Sequence, residues 1–220
     1  MGTLYIVATP IGNLQDITRR AVSTLQTVDA ILCEDTRVTA KLLAALEIRK
    51  PLIAFHQHSD DRRTKEVIDM LGEGKSLALV TDAGTPGISD PGGKLVERAV
   101  EEGVSIVPIP GPSAVITALS VSGFPSDQFL FLGFPPHKGR GSFFKRVAGA
   151  ESTVVFYEST HRILKCLEEL SAVLPDRMLV VCRELTKLHE TIYRGSASQV
   201  TDQLKSSSIK GEFVIVVGPS

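Results

Sequence analysis

Short β-branched runs alternate with segments of helical period along the first half of this chain, and that alternation constrains its fold more than any other feature. Residues 3–8 read as a strand. Residues 16–28 read as a helix, with apolar Ile17, Ala21, Leu25 and Val28 recurring on one face. The pattern continues through a strand at 30–33, a helix at 36–46, a strand at 52–56 and a helix at 61–71 that stops at Gly72 and Gly74. A strand at 77–81, a helix at 93–102 and a strand at 105–108 complete it. Five strands joined by connections long enough for crossover helices predict an α/β lobe on a largely parallel sheet.

The second half reads differently. Residues 113–121 form a helix of small residues, and 129–134, 153–157, 178–183, 190–194 and 212–217 read as strands. Helices are predicted at 161–173, closed by Pro175, and at 199–206. Because 190–194 follows 178–183 after a short turn, the two form a hairpin, and the second sheet is mixed. The fold class is therefore α/β, with two α/β lobes, 1–110 and 111–220, joined near residues 108–112 and sharing no sequence repeat. At 220 residues the chain is longer than the ~150 of an average domain, which suits two lobes. Residues 135–146, with Pro135-Pro136 followed by Gly139 and Gly141, read as a flexible loop.

Charge and cysteine content exclude several functions. With 24 Lys and Arg against 25 Asp and Glu, the net charge is −1, so a nucleic-acid partner must be met by a local patch. Cys33, Cys166 and Cys182 are odd in number and form no CxxC, which points away from disulfides or a zinc ribbon and toward a reducing cytoplasm. The N-terminus lacks the pattern of a signal peptide, and no apolar run approaches the ~20 residues of a membrane span. His56 and His58 lack a third ligand at metal-binding spacing, so no metal is expected. Gly74-Lys75-Ser76 imitates the end of a P-loop, but Asp69 stands where the first glycine belongs and a strand follows instead of a helix. Gly139 and Gly141 lead to Phe144 rather than a third glycine, so a dinucleotide fingerprint is missing as well.

Three loops of unusual composition each follow a strand: Thr9-Pro10-Ile11-Gly12-Asn13-Leu14, the glycine-rich stretch 82–93 (DAGTPGISDPGG), and 108–114 (PIPGPSA). In parallel sheets, ligands bind at the carboxyl ends of strands. Glycine admits close backbone approach, and proline fixes loop shape in advance. One such loop is ordinary turn chemistry; three indicate a polar small-molecule pocket. They contain no Lys or Arg, which favours a neutral or zwitterionic cofactor read by backbone groups over a polyphosphate.

Charged residues gather in four further places. In Cys33-Glu34-Asp35-Thr36-Arg37 the acids can cap the next helix, or Asp35 and Arg37 can line the rim of a site. Phe156-Tyr157-Glu158-Ser159-Thr160-His161-Arg162 delivers Glu158 at a strand end. Residues 183–191 (RELTKLHET) are either a solvated hairpin tip or a second functional edge. Residues 137–146 hold Lys138, Arg140, Lys145, Arg146 and the pair Phe143-Phe144. There the cations suit RNA phosphates and a loop aromatic suits base stacking, unless the two rings anchor an amphipathic helix.

Taken in order, TPIGNL, EDTR, DAGTPGISDPG, PGPSA, FYESTHR, RELTK and GEFVIVV resemble the ribosomal RNA small subunit methyltransferase I family of the tetrapyrrole methylase superfamily, over residues 3–218. The resemblance implies two α/β lobes with an S-adenosylmethionine cleft between them, a homodimer, and methylation of a cytidine ribose 2′-hydroxyl in small-subunit (16S) ribosomal RNA, within the assembled subunit. It implies cofactor contacts from Pro10, Ile11, Ala83, Gly84, Thr85, Ile88, Ser113, Ala114, Glu158, Leu185 and Gly211. Members commonly continue past the last strand with a small extension, whereas this sequence ends at Gly218-Pro219-Ser220. A ribose hydroxyl is a very weak acid, so a base or nearby cation would help it react. Candidate bases are Asp35, Glu158 and Glu184, and candidate cations are Arg37, Arg162 and Lys187. Lys138, Arg140, Lys145, Arg146 and Arg162 are the candidate RNA contacts. Methylation of a tetrapyrrole or other metabolite on the same scaffold is the competing activity, and a non-catalytic RNA-binding assembly factor is the competing non-enzymatic role.

Overall fold

The computed structural model describes residues 1–56, 61–90 and 92–220; His58 and Pro91 lie outside them. Two units divide the chain, Met1–Ser113 and Ala114–Ser220.

In the first unit the strands are β1 (Thr3–Val7), β2 (Ala30–Cys33), β3 (Leu52–Ala54), β4 (Leu77–Leu79) and β5 (Ser105–Ile109). They form one sheet in the order β3-β2-β4-β1-β5, and every pairing is parallel. All residues of β2 and β4 are buried, the mark of a sheet covered on both faces. Helices α1 (Arg19–Thr27) and α2 (Thr36–Ala45) cover one face, where Leu25 and Leu43 pack with Val7, Ile31 and Val80. Helices α3 (Asp61–Gly72) and α4 (Gly93–Glu101) cover the other, where Val67, Leu71 and Leu95 pack with Leu4, Leu32 and Leu79. The helix expected over 16–28 is shorter. Asn13 caps a 3-10 turn at Leu14–Asp16, and α1 begins only where the Thr18 hydroxyl accepts the Ala21 N–H at 3.1 Å.

The second unit opens with α5 (Ala114–Ser120). Its strands are β6 (Phe129–Phe131), β7 (Thr153–Ser159), β8 (Leu179–Arg183), β9 (Thr191–Gly195) and β10 (Glu212–Val217). The order is β6-β7-β10-β8-β9, with β6 parallel to β7 and the remaining pairs antiparallel, a mixed sheet containing the expected β8–β9 hairpin. Helices α6 (Arg140–Ala148), α7 (Ile163–Val173) and α8 (Ala197–Lys205) bury Phe144, Val147, Leu167, Leu170, Val200 and Leu204 against one face. Helix α6 replaces the second part of the loop read over 135–146 and follows the alternative reading, an amphipathic helix anchored by its aromatic pair. Its polar composition hides two anchors, Phe144 and Val147, that seat it in the core.

Among the described residues no helix is long and apolar enough to cross a membrane. No group of three or more His, Cys, Asp or Glu there could hold a metal ion.

Candidate functional site

All five strands of the first unit run the same way, so the three unusual loops leave the sheet at one edge. Backbone pairing joins the first two. Thr9 and Gly84 exchange N–H···O=C bonds of 2.9 and 3.1 Å, and the Thr9 hydroxyl donates to the Thr81 carbonyl at 3.0 Å. Gly84 sits at φ +87°, a conformation that favours glycine. A Cβ there would stand in ordinary contact with Ile11, at 3.5 Å, so it is the backbone conformation and not space that calls for glycine. The third loop closes onto the other two. A Cβ at Gly111 would stand 3.0 Å from that of Ala8, and the Thr85 hydroxyl donates to the Pro112 carbonyl at 3.3 Å. Pro10, Ile11, Gly84 and Thr85 therefore belong to one junction. Ser113 and Ala114 follow it directly in the chain, Ala83 is exposed, and Ile88 is half exposed. Thr9, which carries the stitch, was not among the expected contacts, although it opens the first loop.

Carboxylates dominate the electrostatics of this edge. Asp35 caps α2 and pairs with the exposed Arg37 at 2.6 Å; hydrogen bonding from that guanidinium holds its carboxyl down at about 2. The Asp35 N–H donates to Asp82 at 3.3 Å. Burial raises Glu34 and Asp82, and each is pushed further by its acidic neighbours. Asp90 reaches about 6, first through burial and then through Glu34 and Asp82. The edge thus suits a ligand carrying positive charge. A groove of about 1110 Å³ reaches the second loop at Ser89 and Asp90, but its walls come from α3 and α4, so it lies beside the loop junction.

The second unit gathers side chains instead. Register places Ser159 opposite Glu212 and Arg183 opposite Phe213. The segments 158–162, 184–187 and 211–212 therefore share one end of the sheet. Strand β7 runs to Ser159, two residues further than expected, which turns Glu158 into the interior. It is 1% exposed and bound between Arg162 at 2.8 Å and Arg140 at 3.4 Å. Arg140 also pairs with Glu169 at 2.6 Å and lies over the Phe144 ring. Arg162 donates to the Pro135 carbonyl at 3.0 Å. These placements correct three expectations. Glu158 is an enclosed counter-ion, not an accessible base, and Arg140 and Arg162 are committed to it rather than presented to RNA. Of the two readings of Phe143 and Phe144, base stacking falls and helix anchoring holds: Phe144 is buried in the core, and Phe143 packs half-buried against it. Lys138, Lys145 and Arg146 are exposed.

Next to this network stands an open pair. Glu184 accepts from Lys187 at 3.0 Å and from the Glu212 N–H at 2.9 Å, and Lys187 also reaches Glu212 at 2.8 Å. Burial works to raise Glu184, but the Glu212 N–H and the Lys187 ammonium hold it below its ordinary range. Burial likewise opposes the charge on Lys187, and the two carboxylates override it upward. The pair is thus a carboxylate and an ammonium at neutral pH. Two non-glycine residues of its turn, Glu184 and Thr186, have φ of 53° and 65°, strain of the kind held at functional sites. Gly211 keeps φ +130°, and a Cβ there would lie 2.5 Å from the Glu184 Cγ. The Thr160 hydroxyl clamps Gly211 by accepting its N–H at 2.7 Å and donating to its carbonyl at 2.5 Å. Gly211 thus makes room for the Glu184 carboxylate, and Leu185 beside it is buried. Thr160 and Glu212 were not among the expected site residues; both stand inside motifs already singled out, FYESTHR and GEFVIVV.

Residues 3–201 match the family "Tetrapyrrole (Corrin/Porphyrin) Methylases". Solved structures share the fold: diphthine synthase superposes with a TM-score of 0.75 at 14% identity, covering 99% of this chain and 90% of that one. The methyltransferase CobJ gives 0.73 at 20% identity, covering 100% and 95%. The chain is therefore a methyltransferase of the tetrapyrrole methylase class.

Closer relatives narrow that class. The ribosomal RNA small subunit methyltransferase I of Xylella fastidiosa is 49% identical over 98% of this chain and 81% of its own length. That of Thermotoga maritima is 44% identical over 99% of this chain and 98% of its own. The chain belongs to the ribosomal RNA small subunit methyltransferase I family.

Proposed function

We propose that this protein transfers a methyl group from S-adenosylmethionine to the ribose 2′-hydroxyl of a cytidine in small-subunit ribosomal RNA, acting on the assembled subunit as a cytoplasmic homodimer. The observation that carries the reading is that the kinship spans both units, from the loop junction of the first to the charged strand ends of the second.

The donor set of the first unit fits the cofactor. Its loops hold backbone donors and acceptors without Lys or Arg, and Asp82 and Asp90 stand close by. These groups complement a cationic, amino-acid-bearing ligand. Pro10, Ile11, Ala83, Gly84, Thr85, Ile88, Ser113 and the adjoining Ala114 would hold it. When bound, the cofactor supplies an electrophilic sulfonium methyl, so alignment of the accepting oxygen is the chief requirement.

Lys187, kept protonated, orients the phosphate–ribose backbone and stabilises negative charge developing on the hydroxyl oxygen. Glu184, kept ionised, accepts the departing proton. Lys138, Lys145 and Arg146 meet RNA phosphates.

The test is methyl transfer from labelled S-adenosylmethionine to small subunits isolated from cells lacking this protein. Label recovered as 2′-O-methylcytidine is the expected result. Label recovered on a base, or only on an added tetrapyrrole, would overturn the reading in favour of another acceptor.

A further inference from the structure

Phe144 is a core residue and Phe143 packs half-buried against it, so a base-stacking surface must lie elsewhere or not exist. Phe134 has the most exposed ring of any Phe or Tyr among the described residues, at 51%. It follows β6 at its carboxyl end. Because β6 and β7 are parallel, this is the end of the sheet that also carries Glu184 and Lys187. The Phe134 ring packs on Tyr157 with centroids 5.2 Å apart, and Tyr157 meets Phe131 edge-on at the same distance. The three rings form one cluster whose outermost member faces solvent.

The mounting of that ring is rigid. Leu132 and Tyr157 bind across the strands, N–H to the Val155 and Gly133 carbonyls, at 2.9 and 2.8 Å. Pro135 is buried, and its carbonyl is the acceptor of Arg162, which the enclosed Glu158 holds in place. The buried ion-pair network thus fixes the segment that presents Phe134, so a ligand stacking on it pays little ordering entropy.

Charge selects the ligand. From Gln128 to Ala150 the chain has no acidic residue, while Lys138, Lys145 and Arg146 are exposed, in a protein of net charge −1. An exposed ring four residues before the exposed Lys138, in a stretch without acids, does not make the broad apolar patch of a protein interface. It has the composition of single-strand binding sites, where an aromatic face takes a base and cations take the flanking phosphates. We infer that Phe134, backed by Tyr157 and Phe131, is a stacking platform for an unpaired base of the RNA substrate, next to the reacting nucleotide or identical with it. This rests on the RNA reading given above.

Phe134→Leu keeps bulk and removes the π face, and Phe134→Trp enlarges it. Both, with wild type, are assayed in the full chain for KM and kcat toward small subunits, for S-adenosylhomocysteine affinity and for sedimentation. The platform predicts an RNA KM raised about tenfold in Phe134→Leu, recovery in Phe134→Trp, and unchanged cofactor affinity and sedimentation. An unchanged RNA KM in Phe134→Leu, with active wild type, would overturn the platform alone. Slower sedimentation in either variant would reassign the ring to contact with a second copy, and weaker S-adenosylhomocysteine binding would reassign it to the cofactor. Wild type inactive on RNA would overturn the underlying function as well.

Discussion

The two units are built in opposite ways at their strand ends. In the first, three loops without Lys or Arg knit themselves together through Thr9, Gly84, Thr85 and Gly111, with carboxylates nearby. In the second, long side chains form ion pairs, one set enclosed around Glu158 and another open at Lys187. A small cofactor of fixed shape can be read by a fixed backbone. A polymer that must dock and leave is better met by cations and aromatic faces. The contrast also separates stability from chemistry within the second unit, where neighbouring ion pairs differ mainly in access to water.

The largest expected effect tests that separation. Glu158→Ala leaves Arg162 without its carboxylate and Arg140 with Glu169 alone, and should destabilise the protein by about 3 kcal/mol in denaturant unfolding. A loss below about 1 kcal/mol, the range of exposed pairs, would place Glu158 among functional groups instead.

Lys187→Met should act in the other direction. We expect single-turnover methyl transfer to fall about 100- to 1000-fold, as for removal of a charge-stabilising donor, with the unfolding midpoint nearly unchanged. Equal loss of stability would merge the two networks into one structural cluster.

The distinction between them was only partly legible in the sequence. Strand and helix order could be read because apolar period and turn residues are local signals, as in 61–72 with its glycine stop. Helix α6 was legible only as an alternative to a loop, since Phe143 and Phe144 suit either base stacking or a helix anchor until the sheet they cover is known. Glu158 and Arg140 looked functional for the same reason: the sequence displays charge, but burial and the distant partner Glu169 are products of tertiary packing. Gly211 was recognised by motif, while its role emerged from the Glu184 side chain lying across it.

A smaller effect sharpens the account of RNA recognition. Replacing Lys138, Lys145 and Arg146 together by alanine should weaken RNA binding and flatten its dependence on salt by about 0.7 in logarithmic slope for each phosphate no longer neutralised. S-adenosylmethionine affinity should not change. An unchanged slope would remove α6 from the RNA surface.

The smallest effect concerns pH in the first unit. Asp90 titrates near 6 in the folded protein, against about 3.9 when unfolded. Its contribution to stability is therefore present in full below about pH 4 and is lost as pH rises through about 6. Asp90→Asn should remove that decline and leave the protein more stable than wild type at pH 7, as measured by urea unfolding across this range. A wild-type profile without the decline would indicate a solvated carboxylate.

The division of labour is tested most directly by calorimetric titration of S-adenosylhomocysteine into wild type, Gly84→Val and Lys187→Met, each first shown to be folded by circular dichroism. Binding by wild type and Lys187→Met with loss in Gly84→Val is the predicted result, because a side chain at φ +87° would distort the loop junction. Full binding by Gly84→Val, or loss in Lys187→Met alone, would contradict the assignment of the cofactor to the backbone loops of the first unit.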